Sequence, residues 1–156
     1  MSLDNKKIKF SWVLINNLAL GTAPYYEEDI LFLKSCKIKS ILSLCNEKEF
    51  VISKNLEKEF FLKKFPLPDH KYIKDITIEE LENVTTLLSN LMKKGPVYVH
   101  CFAAIERSPL VCMAWLIKNK KMTMENALFY LMEINKGTSP LSRQLEILRK
   151  FERRRT

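Results

Sequence analysis

Glycine is scarce in this sequence, which has three glycines among 156 residues. We expect Gly21, Gly95 and Gly137 to serve turns or helix ends, where a residue without a Cβ is most useful. No glycine lies in the stretch 101–107, which carries the most informative motif of the chain. If that loop requires a positive φ angle, a residue with a side chain must adopt it.

Metal-binding patterns and long apolar runs are absent as well. The chain has two histidines and four cysteines without a C-x-x-C spacing, so we expect no metal and no cofactor. No run of 18 apolar residues predicts a membrane span, and the N-terminus lacks an apolar segment of signal-peptide length. We therefore expect a cytoplasmic protein without stable membrane insertion, with its cysteines as reduced thiols.

Composition and charge indicate one globular domain. Apolar residues make up 47% of the chain and charged residues 28%. We expect a single domain over 1–156, with its core at about 10–152, and a monomer. The net charge is +8, but the basic residues are scattered as lysine pairs and a terminal cluster. Because no aromatic residues interleave them, we expect no nucleic-acid partner; the charge is solvated surface that also attracts an anionic substrate.

Hydrophobic patterns predict strands that alternate with helices. Strand patterns are "FSWVLINNLALGTAP", broken at Asn16–Asn17, then "IKSILSLC", "EFFLKKFPL" and 97–100. Helix patterns are "YYEEDILFLKSC", "TIEELENVTTLLSNLMKKG", 109–117, a segment capped by Thr123 that ends at Gly137, and one that starts at Ser139–Pro140. Thr77 and Glu80 predict a capping box. This order favours an α/β domain with a mostly parallel central sheet of four to five strands flanked by helices.

The stretch "VYVHCFAAIERSPLVCMAWLI" joins a buried strand to an apolar helix. A loop at that position points backbone N–H groups at one spot, and the helix dipole adds positive potential there. Such a site binds an anion and favours a cysteine thiolate, and the planar guanidinium of Arg107 suits two phosphate oxygens. Cys101 alone would be interpreted as a buried core residue and Arg107 as a surface charge. The combined string His-Cys-x-x-x-x-x-Arg-Ser favours a nucleophile beside a bound phosphate instead.

This motif resembles the active site of the cysteine-dependent protein tyrosine phosphatases, specifically the compact dual-specificity type. The resemblance runs from about Trp12 to Phe151 and includes "LALGTAP", "LKSCKIKSILSLC" and "MTMENALFYLMEINKGTSPLSRQLEIL". The resemblance implies the protein tyrosine phosphatase-like fold. It also implies hydrolysis of phosphotyrosine, with phosphoserine and phosphothreonine as further substrates, through a cysteinyl-phosphate intermediate. A phosphorylated protein is then the partner.

The resemblance also implies roles for individual residues. Cys101 would be the nucleophile, Arg107 the phosphate ligand, and Ser108 a hydrogen-bond donor to the departing thiolate. His100 would orient the loop and tune the thiol. The loop residues that would surround the phosphate are Phe102, Ala103, Ala104, Ile105, Glu106 and Arg107.

A general acid must protonate the leaving oxygen, and the family keeps an aspartate about thirty residues before the cysteine. Asp69 in "FPLPDHKYIKD" lies 32 residues before Cys101 and is our choice. Asp75 is the competing residue, but it precedes the helix cap and is better explained as helix-start charge. His70 would be a loop residue at the edge of the substrate.

Two positions depart from the family pattern. Ala104 stands where the family almost always has glycine, so a positive φ would cost about 1–2 kcal/mol or the loop would relax. Glu106 replaces a small residue, and we expect it to face solvent. Two alternatives therefore stay open: a phosphate-binding module with weak turnover, and an enzyme for a non-protein phosphate. Family members that act on lipids tend to have lysines in this loop, so its residues Phe102, Ala103, Ile105 and Glu106 argue against an inositol polyphosphate head group.

Cys45 ends the strand "IKSILSLC" and should lie on the same sheet edge as Cys101. Its "LCNE" context resembles a cysteine that some family members use as a disulfide partner of the nucleophile. We predict a possible redox partner here, with a buried apolar residue as the alternative.

Overall fold

The computed structural model describes residues 7–69 and 74–155. Five strands and six helices follow one another in the order β1, β2, α1, β3, α2, β4, α3, β5, α4, α5, α6. The strands are β1 Phe10–Leu14, β2 Leu18–Gly21, β3 Ser40–Ser43, β4 Phe61–Lys64 and β5 Val97–His100. The helices are α1 Glu27–Ser35, α2 Lys54–Glu59, α3 Ile78–Met92, α4 Arg107–Lys120, α5 Met124–Ile134 and α6 Ser142–Arg153.

The strands form one sheet in the order β1-β2-β5-β3-β4. Only the β1–β2 pair is antiparallel, and the other three pairs are parallel. The expected mostly parallel α/β sheet is confirmed. Strand β5 lies in the middle, where His100 pairs with Gly21 on one side and Ser43 on the other. The loop after His100 therefore begins at the centre of the edge where the parallel strands end.

The two faces of the sheet carry separate apolar cores because neighbouring residues of a strand point to opposite faces. Val97 and Val99 of β5 belong to the larger core, which includes side chains of helices α3 to α6. Tyr98 between them belongs to the smaller core, with side chains of α1 and α2. Helix α4 is buried along all of 107–117, so it forms the centre of the larger core.

Local signals in the sequence explain where several helices begin. Thr77 accepts a hydrogen bond from the Glu80 backbone N–H, and the Glu80 carboxylate accepts one from the Thr77 N–H. The predicted capping box is confirmed. Thr123 caps α5 in the expected manner by accepting from the Asn126 N–H. None of the helices within 7–69 and 74–155 is long and apolar enough to cross a membrane.

Two helices differ from the sequence prediction. Helix α2 was not predicted, because its six residues contain a single buried apolar side chain, Leu56, and so show no periodicity. Helix α4 begins two residues earlier than the apolar pattern suggests, since Arg107 and Ser108 are polar yet buried in its first turn. This earlier start puts both polar side chains at the helix N-terminus.

Gly21 does not serve a turn, as the sequence suggested, but is the last residue of β2. A Cβ at this position would lie 2.0 Å from the Lys9 carbonyl oxygen and 2.3 Å from the Tyr98 hydroxyl. The Tyr98 hydroxyl crosses this space to donate a hydrogen bond of 2.6 Å to the Thr22 carbonyl. Glycine is needed here for space and not for backbone freedom. Gly95 and Gly137, in contrast, have φ angles of 138° and 96° after helices α3 and α5.

We predict that Gly21→Ala lowers the free energy of unfolding by about 2–3 kcal/mol, because the added methyl group overpacks a site lined by backbone. Urea denaturation measures the change. Combining it with Tyr98→Phe removes one of the two close contacts but leaves the Lys9 oxygen. The double variant should therefore be less destabilised than the sum of the single variants, and strict additivity would contradict this explanation.

Candidate active site

The loop 101–106 connects the centre of the sheet to the first turn of α4. Cys101 is 2% exposed, and its Sγ lies 3.1 Å from Oγ of Ser108. Because Ser108 belongs to the first turn of α4, the thiol lies at the positive end of the helix dipole. The sequence placed these two side chains together, and the structure brings them into hydrogen-bond contact.

Ala104 has a φ angle of 57°, the left-handed conformation that usually selects glycine. Its methyl group is fully buried. The loop therefore keeps the left-handed backbone without a glycine, and it does not relax to a different shape at this residue. The conformational cost of about 1–2 kcal/mol is partly offset by about 0.8 kcal/mol from burying the methyl group.

Arg107 is 3% exposed and is bound by Glu49 from the loop after β3. Its two terminal nitrogens donate to the two carboxylate oxygens at 2.8 and 2.6 Å, a bidentate pair. Nε of Arg107 is buried and has no hydrogen-bond partner among residues 7–69 and 74–155. Glu49 thus holds one edge of the guanidinium and leaves the edge that contains Nε for a ligand.

The electrostatic effects of this pair favour its charged form. Burial alone would raise the pKa of Glu49, but hydrogen bonds from Arg107 and from the Asn46 backbone outweigh it, so the pKa is lowered. Burial alone would lower the pKa of Arg107, yet the hydrogen bonds to Glu49 and the nearby Cys101 raise it. Sequence reasoning missed Glu49 because its partner lies 58 residues away. Its only signal was an acidic residue in the loop after a parallel strand.

His100 is fully buried, between the ring edge of Phe50 and the ring of Tyr98. Burial lowers its pKa to about 4, so the imidazole is neutral at pH 7. Its Nδ1 lies 3.3 Å from the Cys101 carbonyl oxygen and 3.9 Å from Sγ of Cys45. The side chain therefore contacts the loop backbone, and its role in orienting the loop stays a prediction.

Cys45 is a free, buried thiol beside His100. Burial, and then the charge of Glu49, raise its pKa to about 12. Cys101 is close enough to contribute a smaller increase. A disulfide between Cys45 and Cys101 stays a prediction.

A cavity of about 450 Å³ opens above the loop. It is lined by Asp69, Cys101, Phe102, Ala103, Ile105, Glu106, Arg107, Ser139 and Leu141. Asp69 thus shares a cavity with the thiol and the guanidinium. Asp75 instead pairs with Nε of Arg143 at 2.6 Å and lines a small neighbouring cavity. His70 lies outside the described residues.

Glu106 does not face solvent, as the sequence suggested. It is 9% exposed and lines the cavity as the N-cap residue of α4. The physical reason is that α4 is buried along its first turns, so a side chain at its N-terminus lies against protein. Phe102 and Ile105, in contrast, are 54% and 44% exposed and form an apolar rim.

Comparison with known proteins agrees with the resemblance found in the sequence. Residues 20–154 match the family model described as "Dual specificity phosphatase, catalytic domain". Dual specificity protein phosphatase 5 of Homo sapiens is 30% identical over 123 residues, which cover 79% of this chain and 30% of that protein. Phosphatidylglycerophosphate phosphatase PTPMT2 of Arabidopsis thaliana is 24% identical over 147 residues, 91% of this chain and 63% of that protein.

Solved structures support the same fold. The crystal structure of Tk-PTP in the active form has a TM-score of 0.81 at 20% identity, covering 93% of this chain and 97% of that chain. At this identity the likeness concerns the fold. This chain spans about 30% of the length of the first curated relatives that it matches.

We predict that Glu49→Ala lowers the free energy of unfolding by about 3–5 kcal/mol, because it leaves a buried guanidinium uncompensated. Urea denaturation at pH 7 measures this loss. The control is Glu125→Ala, whose pair with Arg149 is half exposed and should contribute less than about 1 kcal/mol. Since the pKa of Glu49 is lowered, its contribution is present above the usual value of 4.5 and is lost as pH falls through the folded-state pKa. A loss at pH 7 no larger than that of the control would contradict the buried pair.

Proposed function

This chain belongs to the dual specificity phosphatase family, and on that premise we propose that it hydrolyses phosphotyrosine, and phosphoserine or phosphothreonine as further substrates, through a cysteinyl-phosphate intermediate. The observation that carries the proposal is the shared cavity. Its wall contains the Cys101 thiol, the Arg107 guanidinium and the Asp69 carboxyl group. These side chains can serve as a nucleophile, a phosphate ligand and a general acid, the three groups that hydrolysis of a phosphomonoester requires.

In the first step, the Cys101 thiolate attacks phosphorus and the bond from phosphorus to the leaving oxygen breaks. Asp69 transfers its proton to that oxygen, so the alcohol or phenol leaves neutral. The free edge of Arg107 and the backbone N–H groups of the loop bind the phosphoryl oxygens, where charge spreads in the transition state.

In the second step, a water molecule attacks the cysteinyl phosphate. Asp69, now a carboxylate, accepts a proton from that water, and the phosphorus–sulfur bond breaks to release inorganic phosphate. The Ser108 hydroxyl, 3.1 Å from Sγ, donates a hydrogen bond to the departing thiolate. This contact stabilises the leaving group and returns the site to its starting state.

The cavity wall favours an aryl leaving group. Phe102, Ile105 and Leu141 present apolar surface next to the nucleophile, and a phenol ring can pack against such surface. Among the described residues that line this cavity, Arg107 is the one cation, and Asp69 and Glu106 are acids. A second phosphate group on the substrate would meet these acids without a further cation to neutralise it.

A non-protein phosphate is the second candidate, because one relative is a phosphatidylglycerophosphate phosphatase. Initial rates on a phosphotyrosine peptide and on phosphatidylglycerophosphate in detergent micelles distinguish the two. A kcat/KM at least tenfold higher on the lipid would overturn the proposal of a protein substrate.

A phosphate-binding module with weak turnover is a further alternative, because the acid Glu106 is buried in the phosphate loop. Cytoplasmic location and a monomeric state also stay proposals, and all four cysteines are free thiols, as a reducing compartment requires.

We predict that Cys101→Ser abolishes hydrolysis of p-nitrophenyl phosphate while tungstate still binds, because the loop backbone and Arg107 stay in place. Release of p-nitrophenol measures turnover, and calorimetry measures binding. Cys112→Ser is the matched control, since Cys112 is a buried thiol in α4 outside the cavity lining. Near wild-type turnover by Cys101→Ser would refute the mechanism.

We predict that Asp69→Ala lowers kcat by about 10²–10⁴-fold on phenyl phosphate and much less on p-nitrophenyl phosphate. The nitrophenolate leaves readily without a proton, whereas phenolate does not. Asp75→Ala is the control and should change neither rate by more than about twofold. Equal losses on both substrates would exclude Asp69 as the acid.

A further inference from the structure

The connection between α5 and α6 binds two backbone carbonyl groups of the loop 101–106. The Asn135 side chain, 1% exposed, donates from Nδ2 to the Ala104 carbonyl oxygen at 2.9 Å. Four residues later, the Ser139 backbone N–H donates to the Ile105 carbonyl oxygen at 2.8 Å. Two successive loop carbonyls are thus fixed by one short segment, and one of them belongs to the residue with the left-handed backbone.

The orientation of the Asn135 amide follows from its partners. Nδ2 also donates to Oγ1 of Thr138 at 2.9 Å. The Thr138 hydroxyl donates in turn to the backbone carbonyl oxygen of Asn135 at 2.7 Å. The Thr138 hydroxyl uses its proton on the carbonyl, so it can only accept from Asn135. The Ala104 carbonyl is an acceptor as well. Both contacts therefore require the amide nitrogen, and the segment holds that side chain in one position.

These bonds determine where the loop's own donors point. A loop binds an anion when its N–H groups converge on one side, which requires its carbonyl groups to point to the other. Asn135 and Ser139 bind two of those carbonyls, so neither has to be satisfied from the side of the anion. In a loop with glycine at this position the left-handed conformation needs no help, but with Ala104 it carries a conformational cost.

We propose that Asn135 is a positioning residue that holds the glycine-free phosphate loop in its anion-binding shape through the Ala104 carbonyl. The inference rests on the proposed function only in taking this loop as the phosphate site. If the loop leaves that shape in part of the molecules, the apparent affinity for an anion falls by the fraction that remains competent.

The test is tungstate binding to the whole chain, measured by calorimetry. Asn135→Asp keeps the side-chain shape but cannot donate to the Ala104 carbonyl when ionised. We expect about tenfold weaker binding, the effect of one lost buried hydrogen bond. Asn126→Asp is the control, because it adds the same charge at an exposed position of α5, the helix that Asn135 follows, and it should change binding less than twofold. Equal affinities for wild type and Asn135→Asp would overturn the proposal.

A double-variant cycle distinguishes positioning from general support. In an Ala104→Gly background the left-handed residue no longer needs Asn135, so Asn135→Asp should weaken tungstate binding less than threefold. If Asn135→Asp weakened tungstate binding in the Ala104→Gly background as much as in the wild-type background, or more, its role would be merely structural and the proposal would be overturned. In turnover, Asn135→Asp should raise KM more than it lowers kcat, since Cys101 and Asp69 are unchanged.

Thr138→Val provides a second variant in case Asn135→Asp does not fold. This variant keeps the volume of the side chain and removes the hydroxyl that orients Asn135. We expect about threefold weaker tungstate binding, and unchanged binding by a folded Thr138→Val would count against the proposal.

Tungstate binding does not require turnover, so failure of hydrolysis alone would reject the proposed function and leave this inference standing. Wild type that binds no tungstate would reject both.

Discussion

The bidentate pair between Arg107 and Glu49 is the interaction on which the site depends. A guanidinium that is 3% exposed stays charged, so without a partner it would destabilise the fold by several kcal/mol, and Glu49 supplies that partner. Because the carboxylate occupies the two terminal nitrogens, the position of the remaining edge is determined. One structural ion pair therefore sets the direction from which a phosphate can be bound.

The sheet topology makes this pair possible. Strands β3 and β5 are parallel neighbours, so the loops that follow them begin at the same edge, one with Glu49 and the other with Cys101 and Arg107. The β4 strand on the outer side of β3 sends the chain toward the same edge, where Asp69 reaches the cavity. These four side chains thus lie on the segments that follow three parallel strands.

Much of this arrangement could be predicted from the sequence because its signals are local. The string from His100 to Ser108 lies on one continuous strand, loop and helix, and the Thr77 cap is set by a residue three positions away. Glu49 and Asn135 could not be predicted, because each acts on the loop across a long separation in the chain. Glu106 was assigned to solvent for a related reason. Its burial follows from the packing of α4, whereas the charge of its own side chain predicts exposure.

Helix α4 supports the Cys101 thiol through Ser108, and it is far more buried than the loops around it. Its residues from Arg107 to Ile117 are all buried, and the helix packs against α3, α5, α6 and the sheet. The backbone amides in such an element exchange with solvent only when the whole domain opens. We therefore expect the Ser108 side of the Cys101 contact to be anchored in slowly exchanging backbone, while the exposed side chains of Phe102 and Ile105 can move without disturbing it.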